Sequence, residues 1–336
     1  MLTTSIGDLA KGFALRRQNV QLRQQLDRLG LEVASGRSAD PVRRLGGQVA
    51  QLGQIEHDLA LAASYREGAQ QARIAAAAMQ VSIARIATGA EGLANTLVVA
   101  GSGAGGRDLS IASQEARAML ESTVSALNAD VAGRHLFAGT AVDSPPLADA
   151  ARILEEVHSA LSGTRSPAEI IARVDDFFDA PDGEFARAIY RGSTRDLAPV
   201  QLGGGESARI VLRADHADLR ATLKHAALAA LADDPALQIG EDGRRALLDH
   251  ARDGLLGARD ALAALQADLG RAESRIESAD TRLQAETSAL ELARNALVGI
   301  DPYEAATELE AVRLQLEGLY SVTARLSQLS LVNVLS

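Results

Sequence analysis

The sequence predicts a mainly α protein: a long antiparallel helical bundle or coiled coil formed by both chain ends, with a small α+β domain inserted between them. Three observations carry this reading. Ile276, Leu283, Leu290 and Leu297 recur at strict seven-residue intervals, and a heptad held over four repeats belongs to a coiled coil. Six of the eight prolines lie between Pro145 and Pro235, with none from Val42 to Ser144 or from Ala236 to Asp301, so the helix breakers are confined to the middle. Tryptophan is absent and aromatics make up 3%, which favours helices packed by small and aliphatic side chains over aromatic-lined pockets.

From the front, residues 5–34 form an amphipathic helix with Ile6, Leu9, Phe13, Leu15, Leu22, Leu26, Leu29 and Val33 as its apolar positions. Gly7 and Gly12 each cost it roughly 1 kcal/mol relative to alanine. Ser35-Gly-Arg-Ser-Ala-Asp-Pro41 is a turn with three breakers. A second helix is expected from Val42 to Val99, with Val49, Leu52, Leu59 and Ile74 near its start and alanines at 75–78 admitting a close neighbour. A third covers Leu109 to Ala132, striped by Leu109, Ala116, Leu120, Val124, Leu127 and Val131, and its partner from the other end is 244–298. Between them the pattern shortens to helices near 148–162, 167–178 and 217–232, with strands near 185–190 and 208–213.

The closing helix runs from Asp301 to Ser336, with Asp as N-cap and Pro302 at the first helical position. It would be roughly 45–50 Å long at 1.5 Å per residue. Leu309, Val312, Leu316, Leu319, Val322, Leu326 and Leu329 share one face, and from Leu326 through Leu331 to Leu335 the helix is apolar almost all round. Chain ends are ordinarily polar and frayed; this one needs cover, and other chains are the expected source. The organisation that follows is a terminal assembly region (1–40 with 301–336), a helical rod (41–140 with 244–300) and an inserted variable domain (141–243). The expected assembly interface is Ile6, Leu9, Phe13, Leu22, Leu26 and Leu29 from the front, with Leu309, Val312, Leu316, Leu319, Leu326, Leu329 and Leu331 from the end. Fully burying a leucine stabilises by roughly 1.5–3 kcal/mol and ordering a residue costs about 1–2, a near balance that suits ends ordered by their neighbours.

Composition excludes several functions. A net charge of −10 argues against a general nucleic-acid binder. The first fifty residues carry eight Lys/Arg against four Asp/Glu, yet Phe13 is the only aromatic among them, so a solvated or partner-facing helix is expected there and not base stacking. Without cysteine there is no disulfide, thiolate nucleophile or zinc-thiolate site. Met1-Leu-Thr-Thr-Ser-Ile-Gly-Asp lacks an apolar core and cleavage motif, and no window is apolar enough to span a membrane.

Three features invite chemistry. Gly101-Ser-Gly-Ala-Gly-Gly106 is a literal G-x-G-x-x-G, but a long helix precedes it and no βαβ unit follows, so a connector between antiparallel helices explains it better than a nicotinamide cofactor would. The acidic run from Asp175 to Glu184 lacks calcium-loop spacing and reads as a helix end with a turn. The six histidines are scattered, and no Gly-x-Ser-x-Gly occurs. No catalytic, cofactor-binding or metal-binding residue is assigned, and no enzyme is expected.

Gly133-Arg134-His-Leu-Phe137-Ala-Gly139-Thr140, at the end of the third helix, resembles the Gly-Arg-Tyr-Leu-Phe-Ala/Ser-Gly-Thr box of flagellin-like proteins, in particular those at the hook–filament junction. The closing segment from Ala305 to Tyr320 and on through Thr323-Ala-Arg-Leu-Ser-Gln-Leu-Ser-Leu331 is similar to the same group. Val33 to Val42 looks like a shortened form of the family's Ser-Gly-Lys/Arg…Asp-Asp-Pro-Val turn. The resemblance covers about 1–140 and 245–336. It implies a structural subunit of the bacterial flagellum, secreted through the flagellar type III channel without a cleaved signal peptide. Such a subunit would form a ring-like homo-oligomer joining hook to filament. Its partners would be copies of itself, the neighbouring hook-associated protein 1, flagellin and an export chaperone, with neither nucleic acid nor membrane insertion. A divergent filament flagellin and a cytosolic coiled-coil scaffold are the alternatives.

Overall fold

The computed structural model describes residues 6–47, 49–102 and 106–335. It is mainly α as the sequence predicts: 75% of residues are helical and 4% lie in strands, so helix packing sets the architecture. Two compact units divide the chain, residues 1–63 with 284–336 and residues 64–283.

The first unit contains α1 (Ile6–Ser35), the short α2 (Pro41–Arg44), the start of α3 (Ala50–Ser102), the end of α8 (Glu241–Val298) and α9 (Pro302–Leu335). The expected cap of α9 is present: Asp301 Oδ1 accepts from the backbone N–H of Tyr303 at 2.8 Å and Glu304 at 3.3 Å. Asp40 caps α2 in the same way, through Arg43 at 3.1 Å. The helix expected to begin at Val42 is interrupted, because Gly46 and Gly47 take φ of +58° and +87°, and α3 starts only at Ala50.

The second unit holds most of α3 and α8 with everything between them. α4 (Gly106–Leu127) follows α3 and leads into the hairpin of β1 (Asp130–Val131) and β2 (Arg134–His135). Next come α5 (Ala150–Ala160), α6 (Pro167–Asp179), a π-helical turn (Phe185–Ile189) and the hairpin of β3 (Val200–Gln201) and β4 (Ser207–Ala208). α7 (Ala217–Leu231) precedes α8. One continuous core runs from Met79 to Leu269 and takes in the inner faces of α3 to α8.

Three expectations fail here. A strand over 185–190 would put Arg187 on the same face as Phe185 and Ile189. The helical turn instead buries Phe185 and Ile189 together and leaves Arg187 exposed. The third helix stops at Leu127, before the expected Ala132, because the chain reverses immediately in the β1–β2 turn. The strand expected over 208–213 is confined to Ser207–Ala208.

Within the second unit α3 and α8 run antiparallel. Gln80 Nε2 donates to the Gln266 carbonyl at 2.8 Å and Arg66 Nε meets Asp280 Oδ1 at 3.1 Å, so fourteen residues back along α3 is fourteen residues forward along α8. The heptad of α8 extends well before Ile276: Leu248, Leu255, Leu262, Leu269, Ile276 and Leu283 are all buried. α3 carries a matching row of Ile55, Ala62, Ala69, Ala76, Ile83, Ala90 and Leu97, also all buried. Alanine-rich positions on one helix admit the leucines of the other, the large-against-small interdigitation that fills a helix interface. Ala69 and Ile276 share one cluster with Ala72, Ala279, Leu202 and Ala208. Ala69→Leu therefore overpacks this interface and is expected to cost about 1–3 kcal/mol. Ala77→Leu, at an exposed site on the same helix, is expected to be near neutral; matched thermal melts of the two variants check this.

Candidate assembly interface

α1 and α9 pack along one another in the first unit. Leu22, Leu29 and Leu319 are buried and Leu26, Leu309, Val312 and Leu316 are half-buried. Arg23 Nη2 and Nε donate to the Tyr320 hydroxyl at 2.8 and 3.1 Å, and these bonds lower the pKa of the phenol. The turns that flank the two helices are joined by backbone: Ser38 N–H donates to the Val298 carbonyl at 2.8 Å and Ile300 N–H to the Gly36 carbonyl at 3.1 Å. Glu32 Oε1 accepts from the N–H of Ala39 at 2.9 Å, tightening the first turn.

Of the residues expected at an assembly interface, Phe13 and Leu326 stay exposed, at 65% and 45%. Leu22, Leu26, Leu29, Leu309, Val312, Leu316 and Leu319 line the side on which the two helices meet. The side chains of Ile6, Leu9, Leu329 and Leu331 lie outside those described. A second set of apolar residues was not selected by sequence reasoning. Val20 and Leu31 are seven and eighteen residues from Phe13, which at 100° per residue returns them to its face, opposite Leu22 and Leu29. All three are more than half exposed. On α9, Leu314 at 67% and Tyr303 at 83% are eleven residues apart and face away from Leu319. The spacings of seven and eleven were the available signal. Each helix of the pair thus has one apolar side satisfied by the other and a second left to solvent.

The Gly133–Thr140 box belongs to the second unit and has a mechanical role there. Ala132 and Gly133 both take positive φ, +52° and +77°, the two-residue turn that suits the right-handed twist of a hairpin. Asp130 Oδ2 accepts from Gly133 N–H at 2.9 Å. His135 Nδ1 lies 2.8 Å from the Asn128 carbonyl, a contact that places its proton on Nδ1. Asn128 itself mimics a strand neighbour: its amide donates to the Leu147 carbonyl at 3.0 Å and accepts from Leu147 N–H at 2.9 Å. Phe137 is fully buried, and its carbonyl accepts from Ala214 N–H at 2.9 Å. Thr140 N–H donates to the Arg195 carbonyl at 3.0 Å and its hydroxyl to Ser193 Oγ at 2.7 Å. Arg134 is exposed on the hairpin. The box ties the end of α4 to 193–195 and 213–214.

Arg213 reinforces this joint between Asp215, at 2.9 Å, and Asp196. Burial is the largest reason that the Tyr190 phenol beside them is pushed up to about 12, and Asp215 adds to it. Tyr190 donates to the Ser193 carbonyl at 2.8 Å.

Nothing in the glycine-rich stretch favours a pyrophosphate. A 53-residue helix precedes it, and a Cβ at Gly101 or Gly106 would meet Asp249 Oδ1 at 3.1 Å or Glu241 Oε1 at 2.8 Å, so carboxylates line the approach. Gly103 and Gly105 lie outside the described residues. In the acidic run, Asp175 and Asp179 hold Lys224 Nζ at 2.8 and 2.6 Å. Among the described residues no group of three or more His, Asp or Glu is placed to hold a metal ion, and no helix is long and apolar enough to cross a membrane.

Residues 254–335, which carry most of α8 and all of α9, match the family model of the bacterial flagellin C-terminal helical region. This C-terminal region is flagellin-like. Its fold is shared by a Vibrio parahaemolyticus protein assigned as flagellar hook-associated, with a TM-score of 0.50 over 73% of this chain and 95% of that one, at 13% identity. No curated protein matches the sequence. The match thus takes in α9, one helix of the pair whose outer apolar sides are unsatisfied.

Proposed function

We propose that this flagellin-like chain is the structural subunit that joins the flagellar hook to the filament. One observation carries the reading: the α1–α9 pair, whose α9 lies in the region that matches flagellin, presents Phe13, Val20 and Leu31 on one outer side and Tyr303 and Leu314 on the other. Burying a side chain of this size contributes roughly 1.5–3 kcal/mol, and a ring of identical copies flanked by hook-associated protein 1 and flagellin supplies the cover. Phe13, Leu326 and the residues around them are assembly contacts, and those facing inward hold the pair together. The subunit leaves the cell by the flagellar type III route with an export chaperone, and it needs neither nucleic acid nor a membrane. The box resemblance favours the junction over a filament role.

Deleting the gene discriminates the readings. Loss of a junction subunit leaves completed hooks while flagellin escapes into the medium. Hooks with no released flagellin would identify a divergent filament flagellin instead. Intact filaments, with the protein confined to the cytosol, would leave a coiled-coil scaffold as the surviving reading.

A further inference from the structure

One buried titratable group has no part in assembly. His225 on α7 is 9% exposed, and its Nδ1 is buried without a hydrogen-bond partner. Its ring lies over Gly254 of α8 so closely that a Cβ there would come within 2.2 Å of both Cε1 and Nε2. Four residues earlier on α8, His250 sets its ring 5.7 Å from that of His225 and tilted 53° to it. Lys224, next to His225 on α7, adds a fixed positive charge held by Asp175 and Asp179 of α6. On α8, Asp249 and Asp253 are both engaged by Arg252. On the other helices packed against α7, Arg117 of α4 donates to the Ala230 carbonyl near the C-terminal end of α7, and His158 of α5 pairs with Asp234 beyond it.

The geometry points to an acid-sensitive latch: protonation of His225, which places a cation between Lys224 and His250 in a slot with no acceptor at Nδ1, releases α7 from α8. The neutral ring fits because Gly254 leaves it room. The cation finds no acceptor at Nδ1, and Asp175 and Asp179 are already committed to Lys224.

Supporting this, burial first, then Lys224 and His250, depress the His225 pKa to about 4 from an ordinary 6.5. The opened state then binds more protons than the closed one, so stability is present above pH 6.5 and is lost as pH falls from 6.5 towards 4. The latch is independent of the assembly reading.

Hydrogen exchange of the α7 amides in the full chain tests it. Between pH 7.5 and 5.0, after correction for intrinsic exchange, opening is expected to increase roughly thirtyfold, and His225→Leu is expected to abolish that response. An unresponsive native chain, or a variant responding as the native chain does, overturns the latch. Ring titration of His225 by NMR in the unmodified chain needs no variant: a transition below pH 5 supports the latch and one at 6 or above overturns it.

Discussion

A chain lacking residues 301–336 is expected to stay soluble, keep its second unit folded and fail to assemble. The main core lies between Met79 and Leu269 and takes no described residue from α9. What the truncation removes is the cover on Leu22 and Leu29 of α1, which each lose a contribution of roughly 1.5–3 kcal/mol, together with the Arg23–Tyr320 bonds. It also removes the outer residues Tyr303 and Leu314. Circular dichroism and a cooperative melt would report the surviving unit, and complementation of a deletion strain would report assembly. A truncated chain that still connected hook to filament would sink the proposed role of the terminal pair.

Gly139→Ala should be the most damaging methyl addition in the box. Gly139 has φ +59°, and its Cβ would lie 2.5 Å from the Arg195 carbonyl oxygen and 2.7 Å from that of Ser193. Both obstacles are backbone, fixed by the bonds from Thr140 N–H to Arg195 and from Ser193 N–H to the Ala138 carbonyl. The left-handed conformation costs about 1–2 kcal/mol for alanine, and displacing two hydrogen bonds adds roughly 1–3, for a total near 2–5 kcal/mol. Gly204→Ala separates the two contributions, because Gly204 has the same φ of +59° with nothing within 4 Å. Urea unfolding of both variants should show the Gly139 substitution costing the more; equal losses would mean that the carbonyl contacts carry no weight.

Sequence periodicity made the long helices legible because leucine at every seventh position has no other simple explanation. It was less informative about which residues are buried. Searching for large apolar side chains singled out Ile74 on α3, which is 47% exposed, and of the buried alanines Ala62, Ala69, Ala76 and Ala90 it took in only Ala76, through the run at 75–78. Alanine is the helix's commonest surface residue as well as its closest-packing one, so only the partner's leucines disclose its role. Phe185 to Ile189 misled for a related reason: over five residues a helical turn and a strand differ only in where Arg187 points. In the box, the family resemblance flagged the residues, whereas their work depends on carbonyls at 193 and 195 that are distant in sequence. The outer rows of α1 and α9 were visible in principle, but an apolar residue on an unselected face looks like ordinary surface until the pair is assembled.

The joint between the two terminal turns is made by main-chain atoms: the amide of Ser38 with the carbonyl of Val298, and the amide of Ile300 with that of Gly36. Such a fastening does not depend on which side chains happen to stand there, Gly36 apart, since its φ of +68° restricts what can replace it. It does depend on the number of residues, because adding or removing one shifts every amide out of step with its acceptor. Evolution can therefore rewrite the spelling of these two turns freely while their lengths must change together or not at all. A change of length after Val33 is then a matter of compensation between distant parts of one gene.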